Sequence, residues 1–317
     1  MRILVVGAGV IGTIYGGRLA LAGHEVTVLV RGRRRAELEA HGLVLEDALS
    51  GERRKIAVTS LAELPADPRF DLALVAVRDR QLTSLLPVLD RLEGATEILF
   101  FLNCPLRVAD LVARYGADRV RFGFPGAGGV HDGERIRYVI VRQQPTTFGP
   151  VAGQDRARCN SIAQIFGQAG FATALVSDME AWLKSHAFFV VAICGALYTA
   201  GGRSAQLAAD TKRLLALISG VREGLNCLRK LGVTPSPAKL RVMAYLPRPL
   251  VVPALRRFFA SRLAALAIDG HANAAPDDMC DLARDCRHMI AASGVSAPTM
   301  LSLCAEVERR AAAATAA

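Results

Sequence analysis

The sequence predicts an α/β protein: a doubly wound parallel sheet followed by an all-helical second domain. Three observations carry that expectation. A β-branched run, Ile3-Leu4-Val5-Val6, ends in a glycine-spaced turn and passes into a helical pattern. Apolar runs and helical patterns then alternate over the first half, as they do where helices cover both faces of a parallel sheet. From Asp178 onward strand signals stop and only amphipathic segments follow. At 317 residues, 52% of them hydrophobic, the chain can bury a large core and is long for one domain, so the division is placed at 1–177 and 178–317.

The first turn reads Gly7-Ala8-Gly9-Val10-Ile11-Gly12. Glycines often mark ordinary turns, but here the strand before them and the helix after them are the ones a dinucleotide site requires. Gly7 permits the sharp turn off the strand, Gly9 leaves room for a pyrophosphate beside the backbone, and Gly12 lets the helix pack closely. The free amides of that helix, among them those of Val10 and Ile11, then face the diphosphate. This is the pattern of a Rossmann-type domain. The second strand, Glu25 to Val30, ends without the Asp or Glu that would hold an NAD ribose; Arg31-Gly32-Arg33-Arg34-Arg35 stands there instead. A carboxylate repels a 2′-phosphate and a guanidinium pairs with it. Arg31, with Arg33 or Arg34 assisting, therefore points to NADP(H), since the same cations would oppose the dipole of a merely solvated helix start.

Further strands are expected at Leu72 to Val77 and Ile98 to Leu102, and ligands of such sheets sit at the carboxyl ends of the strands. Arg78 and Asn103 stand at two such ends, where each could equally satisfy its own turn. The β-rich stretches near 120–124, 137–142 and 146–148 are expected to extend the same sheet. Helices are expected near 178–200, 204–231, 236–245, 249–266, 277–293 and 297–313, with a tight junction near residue 177 and an active site in the cleft formed there.

Lys184 lies at that junction. The chain has 39 basic side chains but only five lysines, so arginine is its ordinary cation. Lysine differs in that its ammonium can give up a proton. Ser177-Asp178-Met179-Glu180 has the form of a capping box, which places Lys184 in the second helical turn and four residues after Glu180, the spacing of a surface ion pair. Yet Ala187, Phe188, Val191 and Ala192 continue its stripe as wholly apolar. The lysine sits where a wet surface becomes a core, and both readings, ion pair and proton donor, stand.

Composition narrows the partners. An excess of ten positive charges suggests an anionic partner without naming one. Nucleic acid is not expected, because aromatic residues are few and no nucleic-acid motif occurs. Seven dispersed cysteines without metal spacing read as reduced thiols in a cytoplasm, and none of the six histidines shows ligand spacing. The run from Ala187 to Tyr198 is shorter than a membrane span and reads as a buried helix.

Taken together, "VGAGVIGTIYGGRLALAGHEVTVLVRG", "DLALVAVRDRQ", "LFFLNC", "GGVHDG" with "TFGP", and "EAWLKSHAFFVVAICGALYTA" resemble ketopantoate reductase, the NADPH-dependent 2-dehydropantoate 2-reductase. The resemblance runs from the first strand to about Ala200. It implies a Rossmann domain followed by a helical, substrate-binding and dimerisation domain, reduction of a ketone by NADPH, and a catalytic lysine in a Trp-x-Lys pattern, which Trp182-Leu183-Lys184 fits. It further implies that Asn103 contacts cofactor and substrate, although Cys104 follows where the family has glycine. Arg78 takes the place of a lysine near the cofactor, and Gly129 falls where the backbone approaches it. The family's substrate-holding asparagines are Phe188 and Ala192 here, and its glutamate aligns with Ala267, which implies a less polar substrate pocket. Asp269, His271 and Asn273 are read as surface residues. The expectation is a reductase of a small-molecule 2-keto acid bulkier and more apolar than ketopantoate, with no metal, no membrane, and room for a homodimer. True ketopantoate reduction and a non-catalytic NADP(H) sensor are the alternatives.

Overall fold

The structure, a computed structural model, describes residues 1–151, 153–274 and 276–316, without the side chains of residues 263, 266, 267, 271, 274, 315 and 316. The side chains of Ala267 and His271 thus lie outside the described structure. The chain forms two compact units, Met1–Leu102 with Arg107–Met179, and Asn103–Leu106 with the chain from Glu180 on.

In the first unit β1 (Arg2–Val6) is an interior strand of an eight-stranded sheet. Ile3, Leu4, Val5 and Val6 are all buried, as a strand covered on both faces demands. Beside it run β2 (Glu25–Leu29) and β6 (Leu72–Val75), both parallel to it. Between β2 and β6 come β3 (Leu43–Asp47), β4 (Arg53–Ile56) and β5 (Thr59–Leu61). The sheet continues through β7 (Glu97–Phe101) and β8 (Val120–Phe124). After β9 (Ala127–Asp132) and β10 (Arg135–Ile140), β11 (Thr146–Gly149) and β12 (Thr173–Leu175) complete it, in the order β12-β11-β8-β7-β6-β1-β2-β5. The strand order reverses between β1 and β6, which marks the carboxyl ends of those two strands as the ligand crevice of such a sheet. The helices of this unit are α1 (Val10–Leu21), α2 (Gly32–His41), α3 (Asp79–Leu89), α4 (Val108–Tyr115) and α5 (Arg156–Gln168).

Two expectations are corrected here. The sheet is mixed, because β11 runs antiparallel to β8. The stretch expected near 137–142 does not extend this sheet: β10 pairs with β3 and β9 in a second sheet ordered β4-β3-β10-β9. The alternation along β10 explains why. Ile136 and Tyr138 are buried, while Arg135 and Arg137 reach Glu46 at 3.1 and 3.2 Å, so one face is wet and the strand cannot lie in a layer covered on both sides. Helix α1 serves both sheets. A Cβ on Gly17 would stand 2.9 Å from Leu45 of β3, so that glycine is what lets the small sheet close on the helix.

The second unit contains α6 (Met179–Thr199), α7 (Ser204–Ala209), α8 (Thr211–Lys230), α9 (Ala238–Tyr245) and α10 (Arg248–Phe259). It continues with α11 (Arg262–Ala264), a π-helical turn (Ala265–Asp269), α12 (Gly270–Ala274), α13 (Pro276–Ser293) and α14 (Pro298–Ala316). The helix expected over 204–231 breaks at Asp210, whose side chain accepts from Arg213 N–H at 3.1 Å and so caps α8. By length and composition α6 could cross a membrane, but 72% of its apolar window is buried within the fold.

Ala187, Phe188, Val191 and Ala192 have no exposed surface. A Cβ on Gly224 of α8 would stand 2.5 Å from the Phe188 ring, so the ring fills the place of that missing side chain. Ala192 faces Gly220 of the same helix. This corrects the expectation that these two positions line a substrate pocket: they are core residues between α6 and α8. Phe188→Ala should accordingly lower the unfolding free energy by about 3–5 kcal/mol in a urea titration, the usual cost of a buried Phe. A loss under about 1 kcal/mol would place the ring outside the core.

Candidate active site

The carboxyl end of β1 makes the turn that the sequence requires. Gly7 has φ +107°, and a Cβ there would stand 2.6 Å from the Ala76 carbonyl after β6. A Cβ on Gly12 would stand 1.8 Å from the Gly7 carbonyl oxygen, so any other residue would push α1 off the sheet. Around Gly9, in contrast, the space that a side chain would fill is empty. Gly9 is also the N-cap of α1 and offers no side chain to its first amides, so those N–H groups are left for an anion. Ala8, Val10 and Ile11 lie on this turn and the first helical turn, packed at the margin of the buried core.

Arg31 is the exposed N-cap of α2 at the end of β2. Its Nε donates to the Ala62 carbonyl at 3.2 Å, which fixes the stem and leaves the Nη groups unbonded among the described residues. Arg33 pairs with Glu37 at 3.1 Å and is 93% exposed. Arg34 does something the sequence reading did not foresee. Its Nε donates to the Ala8 carbonyl at 3.2 Å, Nη2 to the Thr13 hydroxyl at 3.3 Å and Nη1 to Glu37 at 3.0 Å. It is a brace for the glycine turn. The signal available in the sequence was Glu37, three residues on, which orients one side of the fork. His131 of β9 lies near this brace: burial, and then the Arg34 charge, hold its imidazole below the usual histidine range, with Glu37 opposing.

Arg78 stands at the carboxyl end of β6 as N-cap of α3, its N–H donating to the Gln81 side chain at 3.2 Å. Gly129 has a structural reason of its own, since a Cβ there would stand 2.4 Å from the Arg137 carbonyl across the β9–β10 ladder. Tyr15 of α1, missed in the sequence, ties three segments together: its hydroxyl lies 2.6 Å from Thr146 Oγ1 and accepts from Gly126 N–H at 2.9 Å. Burial above all pushes its phenol well up from the ordinary tyrosine range. No group of three or more His, Cys, Asp or Glu suited to a metal ion occurs among the described residues.

In the second unit Lys184 occupies the second turn of α6, where its Nζ lies 2.5 Å from Glu180 Oε1 and its side chain is 19% exposed. The ion pair read from the sequence therefore forms, and it takes one of the three ammonium N–H groups; the others make no bond among the described residues. Trp182 is buried and stacks on His186 with ring centroids 4.6 Å apart, an i,i+4 pair on the first turns of the helix. The next residue, Ser185, accepts from Ser236 N–H at 2.9 Å and so ties the loop before α9 to the lysine's turn. Asn103 follows β7, and its Oδ1 is buried with no donor among the described residues. A buried acceptor of that kind calls for a donor, from a water or a ligand. Asp269 and Asn273 are engaged internally, Asp269 accepting from Ser204 N–H at 3.0 Å and Asn273 Nδ2 donating to the Gly202 carbonyl at 3.0 Å.

The mixed sheet with its glycine turn and uncapped helix, followed by helices alone, defines a Rossmann-like unit with a helical second unit. Residues 3–153 match the family described as ketopantoate reductase PanE/ApbA. Among curated proteins it is 24% identical over 196 residues to "Uncharacterized oxidoreductase YkpB" of Bacillus subtilis (strain 168), a match that spans 62% of this chain and less than two thirds, 64%, of that protein. Among solved structures, D-mandelate dehydrogenase with NADH and anilino(oxo)acetate is similar over 99% of both chains, with TM-score 0.81 and 15% identity. The 2-dehydropantoate 2-reductase from Geobacter metallireducens GS-15 is similar over 98% of this chain and 99% of that one, with TM-score 0.79 and 17% identity. These likenesses show the fold.

The bare acceptor of Asn103 gives a test. Deleting a buried amide that is hydrogen-bonded within the protein costs about 1–3 kcal/mol, whereas Asn103→Ala should leave the unliganded chain within about 1 kcal/mol of wild type in chemical denaturation. A loss of 3 kcal/mol or so would mean that the amide already has its partners.

Proposed function

We propose that the protein is an NADP(H)-dependent reductase that converts a 2-keto acid to the 2-hydroxy acid. The observation that carries this reading is Lys184: an ammonium held by one carboxylate, two N–H groups left over, on the last polar turn of a helix that is otherwise core. The residues that would hold the dinucleotide are the amides of Val10, Ile11 and Gly12 around the pyrophosphate, Arg31 at the 2′-phosphate, Arg78 nearby, and Asn103 at the nicotinamide; Gly129 is kept only as a backbone approach. When bound, the reduced nicotinamide supplies hydride to the ketone carbon.

The chain's own work is electrostatic and acid catalysis. The Lys184 ammonium donates a hydrogen bond to the ketone oxygen, stabilises the charge that grows there, and gives up a proton to the alkoxide. Glu180 fixes the Nζ position. The Asn103 Nδ2 would donate to the ketone oxygen, and the bare Oδ1 would accept from the nicotinamide carboxamide. Ketopantoate itself is the less favoured substrate, because the positions aligned with the family's substrate-holding asparagines, Phe188 and Ala192, are sealed in the core and supply it no polar contact. The fold likeness to D-mandelate dehydrogenase supports a 2-keto acid with a bulkier apolar group. A protein that binds NADPH tightly and turns over no member of a 2-keto acid panel would be the sensor instead.

The cofactor assignment is tested by binding. Wild type should prefer NADPH to NADH, and Arg31→Ala should weaken NADPH about 10- to 150-fold, the worth of a charge-assisted hydrogen bond, with NADH little changed. Arg34→Ala, which removes the brace of the turn, should weaken both cofactors alike. Equal affinity of the wild type for the two dinucleotides would end the NADP(H) assignment.

For the lysine, the ion-pair and proton-donor roles separate in kinetics. A partly exposed i,i+4 helix pair is worth about 1 kcal/mol of stability or less, so Lys184→Ala should melt near wild type. Its kcat, measured by NADPH oxidation with the best substrate of the panel, should fall roughly 10²- to 10⁴-fold with NADPH affinity held within a few-fold. Lys184→Arg keeps the charge but is a very poor proton donor. Near wild-type turnover in that variant would exclude acid catalysis by this residue.

A further inference from the structure

The positive charge of the chain is concentrated. Residues 211–268 carry eleven Lys or Arg and a single acid, Glu223, an excess equal to the +10 of the whole sequence, so the remainder is balanced. Glu223 is itself committed, accepting from Met300 N–H at 2.7 Å. Several of the eleven cations have internal work: Arg213 pairs with Asp210 at 2.7 Å, Arg222 donates to the Leu246 carbonyl at 2.8 Å, and Arg256 donates to Thr211 at 2.7 Å.

Arg229 and Arg241 differ. With Gly232, Val233, Thr234 and Pro235 they line an open cavity of about 260 Å³ between the end of α8 and α9, and no acid lines it. Arg229 is oriented by neutral partners. Its guanidinium lies 4.5 Å from the centre of the Tyr245 ring, and Nη1 donates to Asn226 Oδ1 at 3.1 Å. Arg241 is half-buried and has neither a hydrogen bond nor an ion pair among the described residues, and the same is true of the Thr234 hydroxyl and N–H. The carbonyls that end α8 do not oppose an anion here, because they are taken. The Cys227, Leu228 and Arg229 carbonyls accept from Leu231, Val233 and Gly232 N–H at 3.0, 2.9 and 3.0 Å. Two guanidinia thus share one concavity with no counter-charge in it.

We propose that this cavity binds the phosphoryl group of a compact ligand, through residues that take no part in holding the dinucleotide. A phosphomonoester brings close to two negative charges and three acceptor oxygens, which match two guanidinia plus the Thr234 donors better than the one charge and two oxygens of a carboxylate. The volume lies below the roughly 300 Å³ at which drug-sized pockets begin, so the rest of the ligand is small or lies outside the cavity. Soluble phosphomonoesters and phosphatidic acid headgroups offer the same chemistry, and the test separates them.

The experiment uses the full chain saturated with NADPH, so that the glycine turn is filled. Inorganic phosphate is titrated in by calorimetry, and flotation is measured with phosphatidylcholine vesicles with and without phosphatidic acid. One-site phosphate binding is expected, weakened about tenfold or more by Arg241→Ala and partly restored by Arg241→Lys, with Arg31→Ala without effect on it. Flotation that depends on phosphatidic acid and is lost in Arg241→Ala assigns the group to a lipid; phosphate binding without flotation assigns it to a soluble compound. Because Arg241 makes no bond among the described residues, its variants should retain the wild-type melting curve and NADPH affinity, and Arg229→Lys provides an independent variant. The proposal is overturned if neither probe binds, if phosphate affinity is indifferent to both Arg241→Ala and Arg229→Lys, or if phosphate is displaced by NADPH or lost with Arg31→Ala.

Discussion

The closest constraint in the protein is the approach of α1 to the strand that precedes it. A methyl group on Gly12 would lie 1.8 Å from the Gly7 carbonyl, a distance at which no atom can sit, so helix and strand meet only because the side chain is absent. Much of the first unit follows from that contact. It holds the amide end of α1 at the carboxyl ends of β1 and β6, where the strand order reverses. It brings Tyr15 under Thr146 and Gly126, and it lets α1 carry the second sheet on its other side through Gly17. Arg34 closes the arrangement by bonding the Ala8 carbonyl and Thr13 at once. A turn made of three glycines would be floppy in an unfolded chain, and the brace and the close packing are what give it one shape.

The second unit rests on a different balance. Helix α6 is among the most apolar segments of the chain, and Phe188 and Ala192 are sealed against glycines of α8. Its first two turns carry its charged groups, Glu180 and Lys184. Moving the ammonium one turn further would bury it among side chains with no surface exposure, at a cost of several kcal/mol. On its own stripe the lysine therefore stands at the last position before the core.

Much of this was legible in the sequence because it is local. The glycine spacing, the run of arginines after β2 and the i,i+4 relation of Glu180 to Lys184 are all set within a few residues, and each reads directly. What was not legible depends on partners distant in sequence. The strand Arg135–Ile140 looks like a continuation of the main sheet until Glu46 is seen to neutralise its arginines from β3. The short edge strands β5 and β12, three residues each, are too brief to show a period. Phe188 reads as pocket lining by alignment with the family's asparagine, and as core only once Gly224 is known to face it. The brace made by Arg34 was misread for the same reason: a guanidinium beside a phosphate site looks like a ligand until its hydrogen bonds to the turn are counted.

The account as a whole rests on the glycine turn as the dinucleotide site. Fluorescence titration of NADPH into the Gly12→Ala variant tests it most directly, with a folded state verified by its circular dichroism. The account predicts that the variant keeps its secondary structure and loses NADPH binding by two orders of magnitude or about that, because the displaced helix no longer presents its amides to the pyrophosphate. A Gly12→Ala protein that binds NADPH as the wild type does would contradict it.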